Sequence, residues 1–150
     1  MTGAMVRSGG CQCGRVRYTV TLENDDAYWC HCTMCQKATG GIAAAFVQVE
    51  RDALDWLSEP DWYASSPIAR RPFCARCGTP LGFFWTDGKG AVDITVGSFD
   101  EPSAFRPVAH AGAEGINEAW LETGTLPRHT SDKTESVAKR WHAAGLEVPK

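Results

Sequence analysis

The sequence predicts a mostly β protein of a single domain with one helix close to its C-terminal end. Three observations predict it. Short segments in which apolar and polar residues alternate recur from Arg15 to Val96, and Gly, Pro, Asn and Asp clusters separate them. Helical spacing is convincing in one stretch only, about 132–144. The seven cysteines fall in three short groups, each at the end of an alternating segment.

With 150 residues the chain has room for one domain and a substantial core. A formal net charge of −3 lacks the electrostatic footprint of a nucleic-acid or membrane-surface binder. No apolar run approaches the roughly 20 residues that span a bilayer. Met1 to Gly10 contains no apolar core of an export signal, so the expected location is the cytoplasm. A reducing compartment leaves thiols available for metal, and an odd cysteine count in short-spaced groups argues against a disulfide framework.

Residues 1–9 are small and polar, and read as a disordered or loosely attached N-terminal tail. Val16, Tyr18, Val20 and Leu22 fall on one face of a half-buried strand, and Glu23 to Asp26 turns the chain. Ala27-Tyr28-Trp29 forms a short strand leading into Cys30-His31-Cys32-Thr33-Met34-Cys35. Ala38 to Gly41 closes a helical turn, and Ile42 to Val49 is a strand buried on both faces. Further strands are expected over Ala53–Leu57, Asp61–Ala64, Ile68–Phe73, Leu81–Trp85 and Ala91–Val96. The last two pair across an Asp87-Gly88 hairpin turn. Val108 to Ala113 is a short strand carrying His110. Asp132 with Glu135 resembles a capping box, Val137, Trp141 and Ala144 recur at helical spacing, and Gly145 ends the helix.

The cysteines group as C-x-C (Cys11, Cys13), C-x-C-x2-C (Cys30, Cys32, Cys35) and C-x2-C-G (Cys74, Cys77). Structural zinc sites close on four ligands, whereas catalytic ones commonly keep three and an open position. Seven divides as four and three. The two pairs would form a closed four-thiolate site stapling two halves of the sheet. The central group would form an open claw, since an extended chain puts Cys30 and Cys32 on one face and a turn through Thr33 and Met34 returns Cys35. An alternative uses Cys11 or Cys13 to complete the claw. Four thiolates exceed the charge of a divalent zinc by two and three exceed it by one, so the claw is a weak Lewis acid for water but suits a thiolate ligand. That points to a small thiol as substrate.

With the three groups in view, the chain resembles the glutathione-dependent formaldehyde-activating enzyme family, also called centromere-protein-V-like. The resembling segments are Gly10-Cys11-Gln12-Cys13-Gly14-Arg15-Val16-Arg17-Tyr18, Cys30 to Lys37 with Gly40, and Arg71-Pro72-Phe73-Cys74-Ala75-Arg76-Cys77-Gly78-Thr79-Pro80-Leu81. Ser65-Ser66 and His110 resemble family positions more weakly. The resemblance implies a β-tent fold, a structural zinc on Cys11, Cys13, Cys74 and Cys77, and a catalytic zinc on Cys30, Cys32 and Cys35. It implies the condensation of glutathione with formaldehyde to S-(hydroxymethyl)glutathione, a carbon–sulfur lyase reaction. Residues 10–130 form the resembling domain, and 131–150 a helical extension outside it.

Around the claw, His110 is a candidate proton carrier, and Lys37 and Arg71 are candidate cations for glutathione carboxylates. His31 alternates with the ligands and is expected to pack on the opposite face. Phe83, Phe84 and Trp85 read as core in preference to a pocket wall, and Met34 as packing. The other class of function is a zinc-stabilised binding module without chemistry, which would supply a fourth protein ligand to the claw.

Overall fold

A computed structural model describes residues 3–149. The chain forms two compact units, one ending at Ile116 and one beginning at Asn117, ahead of the 130/131 boundary expected from the sequence.

Among its described residues the first unit carries ten strands and one α-helix. In chain order these are β1 (Met5–Gly10), β2 (Arg17–Leu22), β3 (Asp26–Cys30), α1 (Thr33–Thr39), β4 (Ala44–Val49), β5 (Leu54–Trp56), β6 (Asp61–Ser66), β7 (Ala69–Phe73), β8 (Gly82–Trp85), β9 (Val92–Thr95) and β10 (Arg106–Ala111). They make two sheets, where the cysteine pattern had suggested two halves of one. The smaller has the order β1-β2-β5 and the larger the order β10-β3-β4-β9-β8-β7-β6. The neighbours in the larger sheet are antiparallel except β10, which lies parallel to β3. The expected hairpin of β8 with β9 forms, with Phe83 opposite Asp93.

Period-two alternation explains the core. Val16, Tyr18, Val20 and Leu22 are buried as expected, and the Tyr18 ring meets Trp56 and Phe99 edge-on. The Tyr18 hydroxyl and the Ser98 hydroxyl are hydrogen-bonded at 2.7 Å, which satisfies the polar tip inside the core. β4 is buried on both faces. Val47 and Val49 join the main core, while Phe46 packs in a second cluster with Cys35 and Ala44.

The N-terminal expectation is corrected. Residues 1 and 2 lie outside the described residues, but Met5–Gly10 is a strand in full register with β2, from Met5 opposite Leu22 to Gly10 opposite Arg17. Its composition hid it: Arg7 and Ser8 are polar, and two glycines end it. Arg7 forms a bidentate pair with Asp25 at 2.7 and 2.8 Å, which ties β1 to the turn before β3.

The second unit contains 3₁₀ turns at Glu118–Trp120 and Ser131–Lys133 and the helix α2 (Glu135–Ala143). The capping box does not form. Asp132 lies in the 3₁₀ turn, and Thr134 occupies the N-cap with no side-chain cap bond. The C-terminal end is as expected: Gly145 takes φ 74°, its N–H donates to His142, and the Leu146 N–H donates to Trp141, a Schellman closure.

Deleting residues 1–9 removes most of β1 and its ladder. With about 1 kcal/mol per lost hydrogen bond, urea unfolding should show stability lower by at least about 2 kcal/mol. A dispensable tail would leave the midpoint unmoved.

Candidate metal centres and active site

The first cysteine cluster is built from two turns of similar form. Cys11 and Cys13 sit between β1 and β2, where the Gly14 N–H donates to the Cys11 carbonyl and the Val16 N–H donates to Cys11 Sγ at 3.2 Å. Cys74 and Cys77 follow β7, where the Gly78 N–H donates to the Cys74 carbonyl at 2.7 Å. Thr79 clamps the turns together: its hydroxyl accepts from the Gln12 N–H at 3.0 Å and lies 3.2 Å from Cys77 Sγ. The hydroxyl and N–H of Thr79 pull the Cys77 thiol down to about 5. The four sulfurs lie within 4.8 Å of one another, with Cys11–Cys13 at 3.5 Å and Cys13–Cys74 at 3.8 Å. A tetrahedral zinc with sulfurs at ~2.3 Å sets neighbouring sulfurs about 3.8 Å apart. The donor set fits that ion and joins the small sheet to the large one.

The second cluster is the claw. β3 delivers Cys30, Cys32 is the N-cap of α1 with extended φ −62° and ψ 150°, and Cys35 lies in the helix's first turn. The expected turn through Thr33 and Met34 is therefore helical, and the helix starts five residues earlier than its expected place at Ala38. The Cys35 N–H donates to Cys32 Sγ at 3.3 Å, so the cap is itself a ligand. The three sulfurs lie within 4.8 Å of one another, with Cys30–Cys32 at 3.5 Å. Burial and the neighbouring Cys30 thiol push Cys35 up to about 12, against the pull of Arg71. Metal binding here must expel that proton.

Close backbone approach holds the claw. The segment after β10 passes so near it that a Cβ on Gly112 would stand 2.8 Å from the Cys32 nitrogen, and one on Gly115 would collide with the His31 carbonyl. Gly112 has φ 58°, which favours glycine independently of space. The Gln36 side-chain amide, on α1, donates to the carbonyls of His31 and Gly115 at 3.0 and 3.3 Å. None of these three positions stands out in the sequence, because their role is fixed by a neighbour about 80 residues away.

The candidate residues divide sharply. Arg71, on β7, comes to the claw: it is 4% exposed, its Nη2 lies 3.7 Å from Cys35 Sγ, and its guanidinium stacks over Phe83 at 5.0 Å. Its Nε is buried without a hydrogen-bond partner, and no ion pair joins it to a carboxylate among the described residues. Lys37 is exposed in the last turn of α1. His110 is not brought to the sulfurs. Parallel register sets Ala111 beside Cys30 and His110 beside Trp29, and alternation sends His110 to the other face. There its Nδ1 meets Nε2 of His31 at 2.8 Å, and His31 is 2% exposed, packed on the face opposite the ligands as expected.

A cavity of about 330 Å³ opens beside the claw, bordered by Cys30, Cys32, Cys35, Arg71, Asp93 and Phe83 together with Gln48, Ser66 and further apolar side chains. Phe83 and Trp85 share this face of β8, whereas Phe84 points into the main core. The aromatic strand is thus both core and pocket wall. Asp93 is buried, and accepts a hydrogen bond from the Tyr28 hydroxyl at 2.7 Å. Burial pushes its carboxyl up to about 6, against the Tyr28 bond and the Arg71 charge. Sequence reasoning passed over Asp93, since a single aspartate in an alternating strand reads as a solvent-facing position.

The comparisons with known proteins agree with this geometry. The model of the glutathione-dependent formaldehyde-activating enzyme family matches residues 6–114. An uncharacterized lyase of Schizosaccharomyces pombe is 31% identical over 91 residues, covering 61% of this chain and 66% of that protein. A candidate glutathione-dependent formaldehyde-activating enzyme of Aspergillus terreus is 28% identical over 146 residues, covering 92% of this chain and 72% of the relative. The chain thus spans about two thirds to three quarters of their lengths. A crystal structure of a Rhodobacter sphaeroides protein shares the fold, with a TM-score of 0.52 at 21% identity over 77% of this chain and 94% of that one. No described helix is long and apolar enough to cross a membrane.

An aspartate whose carboxyl is raised when folded favours the folded state while protonated. That contribution is present at low pH and is lost as pH rises from about 4, the unfolded value, to about 6. Asp93→Asn keeps a carbonyl acceptor for Tyr28 and should gain about 2–3 kcal/mol on wild type between pH 4 and pH 7. Urea unfolding of both proteins across that range measures the difference, and a constant difference would contradict the burial account.

Proposed function

Because the chain belongs to the glutathione-dependent formaldehyde-activating enzyme family, we propose that it is a zinc-dependent carbon–sulfur lyase that makes and splits the adduct of a small thiol, glutathione or an analogue, with an aldehyde. The observation that carries this reading is the three-sulfur claw on the wall of a cavity, with no fourth Cys, His, Asp or Glu ligand atom grouped with it among the described residues. A purely structural claw would want that fourth ligand. Zinc held by Cys30, Cys32 and Cys35 would keep a substrate thiol ionised and in place.

The chain's own residues do the rest. Cys30 and Cys32 orient the ligand set from the end of β3 and the cap of α1, and Cys35 closes it. Arg71 sets a positive charge beside the sulfurs and against any negative charge that develops on the carbonyl oxygen. The thiol proton leaves, the sulfur–carbon bond forms, and the oxygen takes a proton. Bringing both reactants to one place supplies much of the rate, as the addition proceeds without help. Lys37, exposed near the claw helix's end, suits a glutathione carboxylate; Arg71, committed to sulfur, does not. His110 acts through His31, as a positioning residue for the strand between two ligands. Seven uncrosslinked cysteines suit a reducing compartment, the cytoplasm.

Cys32→Ser and Cys35→Ser should abolish the protein's acceleration of glutathione–formaldehyde exchange, followed by magnetisation transfer, while the circular dichroism spectrum is kept. Arg71→Gln should slow it by about 10- to 100-fold. Unchanged exchange in Cys35→Ser would sink the lyase reading.

A further inference from the structure

We propose that the cavity beside the claw is a binding site for the apolar body of the aldehyde, so that the preferred carbonyl substrate carries an aryl or branched alkyl group and is larger than formaldehyde. This inference rests on the lyase reading and names its second substrate.

Size is the first argument. The cavity measures about 330 Å³, within the range of sites that enclose whole organic ligands. Formaldehyde, one carbon and one oxygen, is little larger than a water, whose share of liquid volume is about 30 Å³. It would leave most of the cavity to solvent.

The lining is the second. Phe83 and Trp85 stand edge-to-face at 4.8 Å on one side of β8, and Tyr28 and Phe46 stand 5.9 Å apart on paired strands. At the border, Met34 from α1, Ile68 from the β6–β7 turn and Trp85 are 51%, 58% and 41% exposed. Single exposed apolar residues are ordinary on a protein surface. Three from separate segments around one opening make a patch that a ligand would cover.

Charge is the third. Arg71 and Asp93 are the charged groups in the lining, Gln48 and Ser66 are its other polar side chains, and Asp93 Oδ1 accepts from the Tyr28 hydroxyl. Glutathione carries two carboxylates and an ammonium group, and a mostly apolar lining with one cation offers a counter-charge to only one of the carboxylates. Its sulfur reaches the claw while its polar body stays towards solvent, which leaves the cavity to the carbonyl partner. The sulfur lone pair then attacks the carbonyl carbon, the C=O π pair moves to oxygen on the Arg71 side, and that oxygen takes the proton the thiol gave up. The product is a hemithioacetal, and nothing is oxidised or reduced.

The test uses the zinc-loaded protein with glutathione and either formaldehyde or phenylacetaldehyde. For each, the exchange rate is divided by the uncatalysed rate, which removes formaldehyde's greater intrinsic reactivity. One methylene in an apolar pocket discriminates by roughly 10- to 200-fold, so the acceleration of phenylacetaldehyde should exceed that of formaldehyde by at least about tenfold. Trp85→Ala and Ile68→Ser should each lower that ratio, and unreactive 2-phenylethanol should compete with phenylacetaldehyde. A ratio of one or below, or one that neither variant moves, would overturn the proposal while leaving the lyase reading intact. Should neither aldehyde be accelerated, the lyase reading itself fails. The cavity assignment would then stand or fall on whether 2-phenylethanol produces a saturable shift of the Trp85 indole NMR signal.

Discussion

Convergence of sulfur is the constraint on which the first unit depends. Cys13 and Cys74 are 61 positions apart and their sulfurs lie at 3.8 Å. One pair closes the turn between β1 and β2, and the other follows β7 in the larger sheet, so the cluster fastens two sheets that share no ladder. Thr79 and Arg15 reinforce the junction with bonds to both turns. A metal ion held by the four thiolates would add cohesion that a chain of this size would otherwise have to draw from its core.

The two clusters are alike in one detail and opposite in its consequence. Each has an arginine donating to one sulfur: Arg15 to Cys74 at 3.4 Å, and Arg71 to Cys35 at 3.7 Å. Arg15 is half-exposed and its charge is taken by Asp61, which also accepts from the Ala75 N–H. Arg71 is buried and no carboxylate pairs with it among the described residues. Its positive charge acts on both the claw and the Asp93 carboxyl across the cavity. Were zinc held by the three thiolates, Arg71 alongside would offset part of the excess negative charge, and an incoming thiolate would be accepted at a smaller electrostatic cost. The two clusters thus differ in whether the arginine beside them is ion-paired.

Much of this was legible in the sequence, and the remainder was hidden for physical reasons. The order of the cysteine groups yields the partition into four and three, because ligand spacing is a local property. Alternation, the trace of burial on one face, identifies β2 and β9, and apolar or aromatic composition identifies β4 and β8. β1 escapes, since an edge strand made of Met, Val, Arg, Ser and two glycines carries no such trace. The roles of His31, His110, Gly112 and Gly115 all follow from the parallel pairing of β10 with β3, a contact between segments about 80 residues apart. Arg71 was legible as a cation in the resembling stretch, but not its orientation: the β7 register turns it inward to sulfur and away from a carboxylate in solvent. Asp93 shows the same limit, since alternation assigns a face and not what covers it.

The central claim is that one of the two sulfur clusters accepts a substrate thiol and the other does not. Cobalt(II) reports this directly, because its absorption bands follow the number of sulfur ligands. With both clusters loaded, glutathione should shift the bands of one ion only, and Cys35→Ser should remove the responding ion while the other keeps its four-thiolate spectrum. A glutathione titration that leaves both spectra unchanged, or moves both together, would contradict the account.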